Sequence, residues 1–135
     1  MDKEIEEKFV KNFIIKDKRE RISYELSSLK KRATAIQKIF SMIDEKFAIW
    51  KNANVSYDDI ISIAKNYFNI RKNCYVISET SDDGKLMPFQ QAVENMLRYE
   101  VNYAIICDEN TVLVSEEYNT FCSPNIMLLH KCINN

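Results

Sequence analysis

Residues 21–47 read RISYELSSLKKRATAIQKIFSMIDEKF, and an apolar pattern runs through them without a break. Apolar residues recur at alternating steps of four and three, the spacing that keeps side chains on one face of an α-helix. The positions are Ile22, Leu26, Leu29, Ala33, Ile36, Phe40, Ile43 and Phe47. This pattern predicts a long amphipathic helix that packs against the rest of the chain.

Two serines interrupt the interior of this helix. Ser27 and Ser28 compete for backbone hydrogen bonds and favour helix caps over helix interiors. Residues 17–47 therefore form either one helix or two helices broken at the serines. The apolar pattern keeps its phase across Ser27 and Ser28, so we expect one helix, with a bend.

The segment before it, residues 3–15, places Ile5, Phe9 and Phe13 at steps of four. This spacing predicts an amphipathic helix of about three turns. A short charged link joins it to the long helix, with Asp17 as the expected N-cap, and a short link favours a helical hairpin. Residues 1–52 are thus expected to be a helical half.

Residues 53–135 have a mixed pattern. A helix is expected over 57–68, where Ser56 and Asp59 have the spacing of a capping box, and another begins near Pro88. Strands are expected at 74–78, 103–107 and 111–115, because these runs are rich in β-branched and apolar residues. A loop is expected near Trp50, and a short helix after Pro124.

The fold class predicted from these elements is α+β. We expect a β-α-β-β order, hence a small mixed sheet, on which the N-terminal helical hairpin packs with its long amphipathic helix. Each half would expose an apolar face if separated from the other, so residues 1–135 are expected to form a single domain. A pair of fragments cut near residue 52 that fold independently would contradict this expectation.

The composition narrows the function classes. The chain has a single glycine, Gly84, which cannot build a phosphate-binding loop or a dinucleotide fingerprint. No apolar run reaches the roughly 20 residues that span a bilayer, and the charged start MDKEIEEK does not resemble a secretory signal. We expect a cytoplasmic, bacterial-type small protein with reduced thiols and no membrane partner.

Charge is unevenly distributed along the chain. Residues 1–51 carry a net charge of +4 and residues 52–135 a net charge of -5. On the long helix, cations are expected on the face opposite the apolar pattern, where they could contact phosphates. Nucleic-acid binding is therefore one hypothesis, with the candidate residues Arg21, Lys30, Lys31, Arg32 and Lys38. The sequence pI of about 5.9 argues against it.

Acidic residues dominate the turns and strand ends of the second half. The favoured hypothesis is a non-enzymatic protein-binding module, of the kind represented by immunity proteins and antitoxins, whose acidic surface faces a basic partner such as a toxin domain. The candidate protein-binding residues are Glu79, Asp82, Asp83, Asp108, Glu109, Glu116 and Glu117. The heptad-like spacing of the long helix leaves a homodimer as a further option.

Histidine and cysteine offer little chemistry in this sequence. His130 has Cys122 and Cys132 near it in the chain, but no paired ligand spacing typical of zinc sites occurs. Cys74 and Cys107 lie in strand-like runs and are expected in the core. We therefore expect no catalytic residues, no metal and no cofactor.

Overall fold

The computed structural model describes residues 1–53, 55–99, 101–116 and 125–131. Its helices are α1 (Lys3–Phe13), α2 (Arg19–Ser27), α3 (Arg32–Ile39), α4 (Tyr57–Ala64) and α5 (Phe89–Tyr99). Its strands are β1 (Ala48–Ala53), β2 (Asn73–Ser78), β3 (Leu86–Pro88), β4 (Tyr103–Asp108), β5 (Thr111–Glu116) and β6 (Asn125–His130). The α+β class is confirmed. In the described part of the chain, every helix is too short or too polar to cross a membrane.

All six strands form one antiparallel sheet in the order β1-β6-β5-β4-β2-β3. The prediction of a mixed sheet was wrong because the sequence pattern did not predict β3. This short strand pairs antiparallel with β2, so it reverses the chain before α5 crosses over to β4. β4 consequently runs antiparallel to β2, with Val76 opposite Ile105. The β4–β5 hairpin has its expected position, with Ile105 opposite Leu113.

The segments around Trp50 and after Pro124 also differ from expectation. The expected loop near Trp50 is the edge strand β1, and the final helix expected from 124 onward is instead strand β6. The two pair antiparallel, with Trp50 opposite Leu128. β6 contains four consecutive buried residues, and an apolar run of that length does not distinguish a buried strand from a buried helix.

Helices cover both faces of the sheet. Successive residues of β2 alternate between the two faces: Tyr75 and Ile77 pack with α1, α2 and α3, whereas Cys74 and Val76 pack with α4 and α5. The N-terminal helices therefore cover one face, as expected, whereas the burial of the second face by α4 and α5 was not predicted. A sheet buried on both faces explains why its central strands read as continuous apolar runs.

The long helix predicted over residues 21–47 is divided into α2 and α3. Ser28 has an extended backbone (φ −93°, ψ 121°), and the Ser27 hydroxyl donates to the Tyr24 carbonyl at 2.8 Å, so the serines end α2. The apolar pattern also fails here, since Leu29 is 94% exposed. We call residues 28–31, the turn between α2 and α3, the α2–α3 corner.

The two edges of the sheet are short or irregular. β3 has three residues and ends at Pro88. β1 shifts register against β6 between Ala48 and Trp50, which is the signature of a bulge. Both edge strands are thus poorly suited to extended pairing.

Candidate functional site

A cleft of about 390 Å³ lies between α1 and the end of the sheet that carries the β4–β5 turn. Its floor is apolar: α1 contributes Ile5, Phe9 and Phe13 at helical spacing, and the sheet contributes Tyr75 and Ile106. A volume of about 300–1,000 Å³ and a mostly apolar lining are typical of ligand-binding clefts. We call this the α1 cleft.

The rim of the α1 cleft is acidic. Asp2 and Glu4 lie on it at the start of α1, and Asp108 and Glu109 at the β4–β5 turn, against Lys8 as the sole cation among the described lining residues. The Lys8 ammonium lies 2.8 Å from a Glu109 carboxylate oxygen and 3.5 Å from one of Glu4. These contacts raise the pKa of Lys8, chiefly through Glu109, and lower the pKa of Glu109. The rim keeps a net negative charge.

The acidic residues predicted to bind a partner do not form one surface. Asp108 and Glu109 are exposed and belong to the α1 cleft. Glu79 and Glu116 lie at the opposite end of the sheet. Each directly follows a serine, Ser78 or Ser115, that pairs with Tyr103 in the strand register. Burial, and secondarily Glu45, raises the pKa of Glu116. Glu117 lies outside the described residues.

Asp82 and Asp83 serve internal packing, which corrects their predicted role on the surface. Asp82 is 7% exposed, and one of its carboxylate oxygens accepts hydrogen bonds from the Tyr103 hydroxyl at 2.7 Å and the Asn95 amide at 2.8 Å. Burial, and then Asp82, raises the pKa of Tyr103. Asp83 instead accepts from Arg32 at 2.8 and 3.0 Å. Asp82 is therefore buried, and the partly exposed Asp83 is engaged by Arg32.

Arg32 is likewise buried, which removes it from the predicted basic surface. Its guanidinium donates to both carboxylate oxygens of Glu6 at 2.7 Å, to Asp83, and to the Leu26 carbonyl at 2.9 Å. Tyr75 donates to the same Glu6 carboxylate. Every N–H group of the Arg32 guanidinium donates a hydrogen bond. Arg32 thereby connects α1, α2 and the loop after β2.

The remaining predicted basic residues separate into two groups. Arg21 lies 2.9 Å and Lys38 3.8 Å from the carboxylate of Glu25, which lowers the pKa of Glu25, chiefly through Arg21. Lys30 and Lys31 are exposed at the α2–α3 corner. Among the five residues of the expected basic face, Lys30 and Lys31 are the two neighbouring cations that are both exposed and not paired with Glu25 or Glu6.

Sequence reasoning missed the apolar surface at the α2–α3 corner. Leu29 is 94% exposed, Tyr24 62% and Met1 68%, and the Lys31 ammonium lies 5.1 Å from the centre of the Tyr24 ring. A cavity of about 230 Å³ beside the corner is lined by Met1, Leu26 and Leu29. The helical spacing assigned Leu29 to the core, so the sequence carried no signal for its exposure.

Among the described residues, the thiols and the histidine do not form a chemical site. Cys74 and Cys107 are buried, and burial, followed by the neighbouring Cys74 thiol, raises the pKa of Cys107. The His130 Nδ1 atom lies 2.9 Å from the Thr111 hydroxyl. Cys122 and Cys132 lie outside the described residues, and within those residues no three potential metal ligands cluster.

Comparison of the chain with protein-family models, curated proteins and solved structures found no match. The α1 cleft combines an apolar floor with negative charge, and can accept an apolar group that carries a positive charge beside it.

Proposed function

We propose that this chain is a non-enzymatic protein-binding module whose binding site is the α1 cleft. The observation that supports it most is the rim of four carboxylates, from Asp2, Glu4, Asp108 and Glu109, around an apolar floor. The partner would present an apolar side chain flanked by lysine or arginine. This proposal keeps the basic partner expected from the sequence and relocates its contact surface.

The two parts of the cleft would contribute differently to binding. An apolar side chain that became fully buried in the cleft would gain at most about 1.5–3 kcal/mol, so the apolar lining would supply affinity. The charged rim would mainly accelerate association with basic partners and exclude acidic ones. We therefore expect association rates, more than dissociation rates, to depend on salt.

Within this class, we propose an immunity- or antitoxin-like role in the cytoplasm, in which the chain occludes a basic toxin domain. The support is the acidic rim of the α1 cleft, whose charge complements a basic domain. Nucleic-acid binding remains the alternative, now resting on the exposed Lys30 and Lys31.

The proposal is tested with two labelled peptides, KKLFKK and EELFEE, by fluorescence anisotropy. We expect the basic peptide to bind and the acidic one not to bind, with binding weakened at high salt. Replacing Glu4 and Glu109 with glutamine should weaken binding of KKLFKK at least several-fold. The matched control replaces Glu7 and Glu20, which are exposed but outside the described cleft lining, and should bind as the unaltered chain does.

Equal binding of the two peptides, or an equal loss in the control variant, would contradict the cleft as the site. Labelled duplex DNA in the same assay examines the alternative. Salt-sensitive DNA binding that disappears in a Lys30→Glu/Lys31→Glu variant would favour nucleic acid over protein as the partner.

A further inference from the structure

The α2–α3 corner presents the kind of group that we propose binds in the α1 cleft: an apolar side chain next to positive charge. Leu29 projects into solvent, 94% exposed, at the tip of a short turn. Lys30 and Lys31 follow it directly and are exposed too. Leu29 followed by two lysines is an apolar group flanked by positive charge, which is the ligand chemistry proposed for the α1 cleft.

The corner and the cleft lie on opposite sides of α1. The α1 cleft is lined on this side by Asp2, Glu4, Ile5 and Lys8. The cavity beside the α2–α3 corner is lined by Met1, Lys3, Glu6 and Glu7. This division follows helical periodicity, since residues three and four apart share a face. α1 therefore separates the acidic rim of the α1 cleft from the corner that carries Lys30 and Lys31.

We infer that a second copy of this chain occupies the α1 cleft. Leu29 of each copy would enter the cleft of the other, with Lys30 and Lys31 against Asp108 and Glu109. In the proposed arrangement a two-fold axis relates the two copies, so that both corner–cleft pairs form together. The result is a closed symmetric dimer, in which the α2–α3 corner of each copy contacts the α1 cleft of the other.

The inference rests on the proposed function, because it uses the same cleft as a site for a basic, apolar group. It adds that the chain competes with its partner for that cleft. The dimer would then be the resting form, and a basic partner would bind to the monomer. High concentration of the chain should accordingly weaken apparent binding of the partner by mass action.

Sedimentation velocity of the full chain, from low micromolar to sub-millimolar concentration, tests the inference. We expect a monomer–dimer equilibrium that shifts to monomer at high salt. Leu29→Asp should abolish the dimer, because it places a carboxylate against the acidic rim. A chain that remains monomeric throughout the concentration range at low salt would overturn the inference, as would a dimer unaffected by Leu29→Asp.

A charge exchange gives a sharper test of the pairing. In one variant Lys30→Glu and Lys31→Glu make both surfaces acidic, and in the other Glu4→Lys and Glu109→Lys make both basic. Each variant alone should be monomeric, and an equimolar mixture should form a heterodimer, because both corner–cleft pairs are then complementary. Failure of the mixture to associate, with both variants folded by circular dichroism, would overturn the pairing.

The KKLFKK assay separates this inference from the proposed function. A monomeric Leu29→Asp variant that binds KKLFKK at least as well as the unaltered chain supports both. If that variant is monomeric but does not bind the peptide, the proposed function fails, and the Leu29-dependent dimer must form through a surface other than the α1 cleft, which overturns the inference as well. A chain that binds the peptide but never dimerises leaves the proposed function standing and overturns the inference.

Discussion

Arg32 illustrates how burial changes the role of a charged side chain. Its position in the run Lys30, Lys31, Arg32 predicted an exposed cation, yet it is 6% exposed and paired with Glu6 and Asp83. Its pKa is raised because the two carboxylates together outweigh the opposing effect of burial. Local sequence cannot reveal this contact, since the partners lie 26 and 51 residues away along the chain.

Arg32→Met should lower the free energy of unfolding by about 3–5 kcal/mol, because it leaves the buried Glu6 and the partly buried Asp83 carboxylates without their counter-ion. The measurement is urea unfolding followed by circular dichroism. The matched control, Lys31→Met, alters the neighbouring exposed lysine and should change the free energy by less than about 0.5 kcal/mol.

A further variant separates charge from packing at this site. Adding Glu6→Gln and Asp83→Asn to Arg32→Met removes the uncompensated charges, so part of the lost stability should return. Equal stability of the Arg32→Met and Lys31→Met proteins would show that the buried ion pairs contribute nothing measurable.

At the scale of elements, the division between α2 and α3 decides which apolar residues are buried. Leu26 and Leu29 are three residues apart and would share a face of a continuous helix. In the structure Leu26 is 3% exposed and Leu29 94% exposed, because the chain turns between them. The apolar spacing could not detect the turn, since the pattern resumes nearly in phase at Ile36.

Substitution of these two leucines distinguishes the two geometries. Leu26→Ala should destabilise the protein by about 2–5 kcal/mol, because it leaves a cavity in the core. Leu29→Ala should cost less than about 0.5 kcal/mol, because the side chain is exposed. Chemical denaturation at a concentration where the chain is monomeric is the measurement. Similar losses for both variants would instead indicate one continuous helix with both residues buried.

At the scale of the whole molecule, local patterns predicted more of the fold than of the site. The α+β class and the β4–β5 hairpin followed from spacing and turn residues alone, and Ser56 forms the expected capping box with Asp59. The antiparallel order did not follow, because it depends on the three-residue strand β3. Nor did the α1 cleft, whose floor joins Phe9 to Ile106 across most of the chain.

The prediction that residues 1–135 form a single domain concerns the whole molecule, and the strand pairing gives a physical reason for it. A cut after residue 52 would fall inside β1, which pairs with β6 at the other end of the chain. We expect fragments 1–52 and 53–135 to lack cooperative thermal unfolding when separate, because each exposes an apolar layer. Calorimetry and circular dichroism of the two fragments provide the measurement, and independent cooperative transitions would contradict a single domain.

The edges of the sheet bear on how the protein behaves in a crowded cell. An open sheet offers unpaired backbone groups to any extended chain nearby, and pairing of that kind begins fibrillar aggregation. Here one edge is a strand of three residues ending at Pro88, which has no N–H group to donate, and the other is interrupted between Ala48 and Trp50. These edges disfavour pairing of the sheet with another extended chain, so we expect any association to use side-chain surfaces, where charge can select the partner.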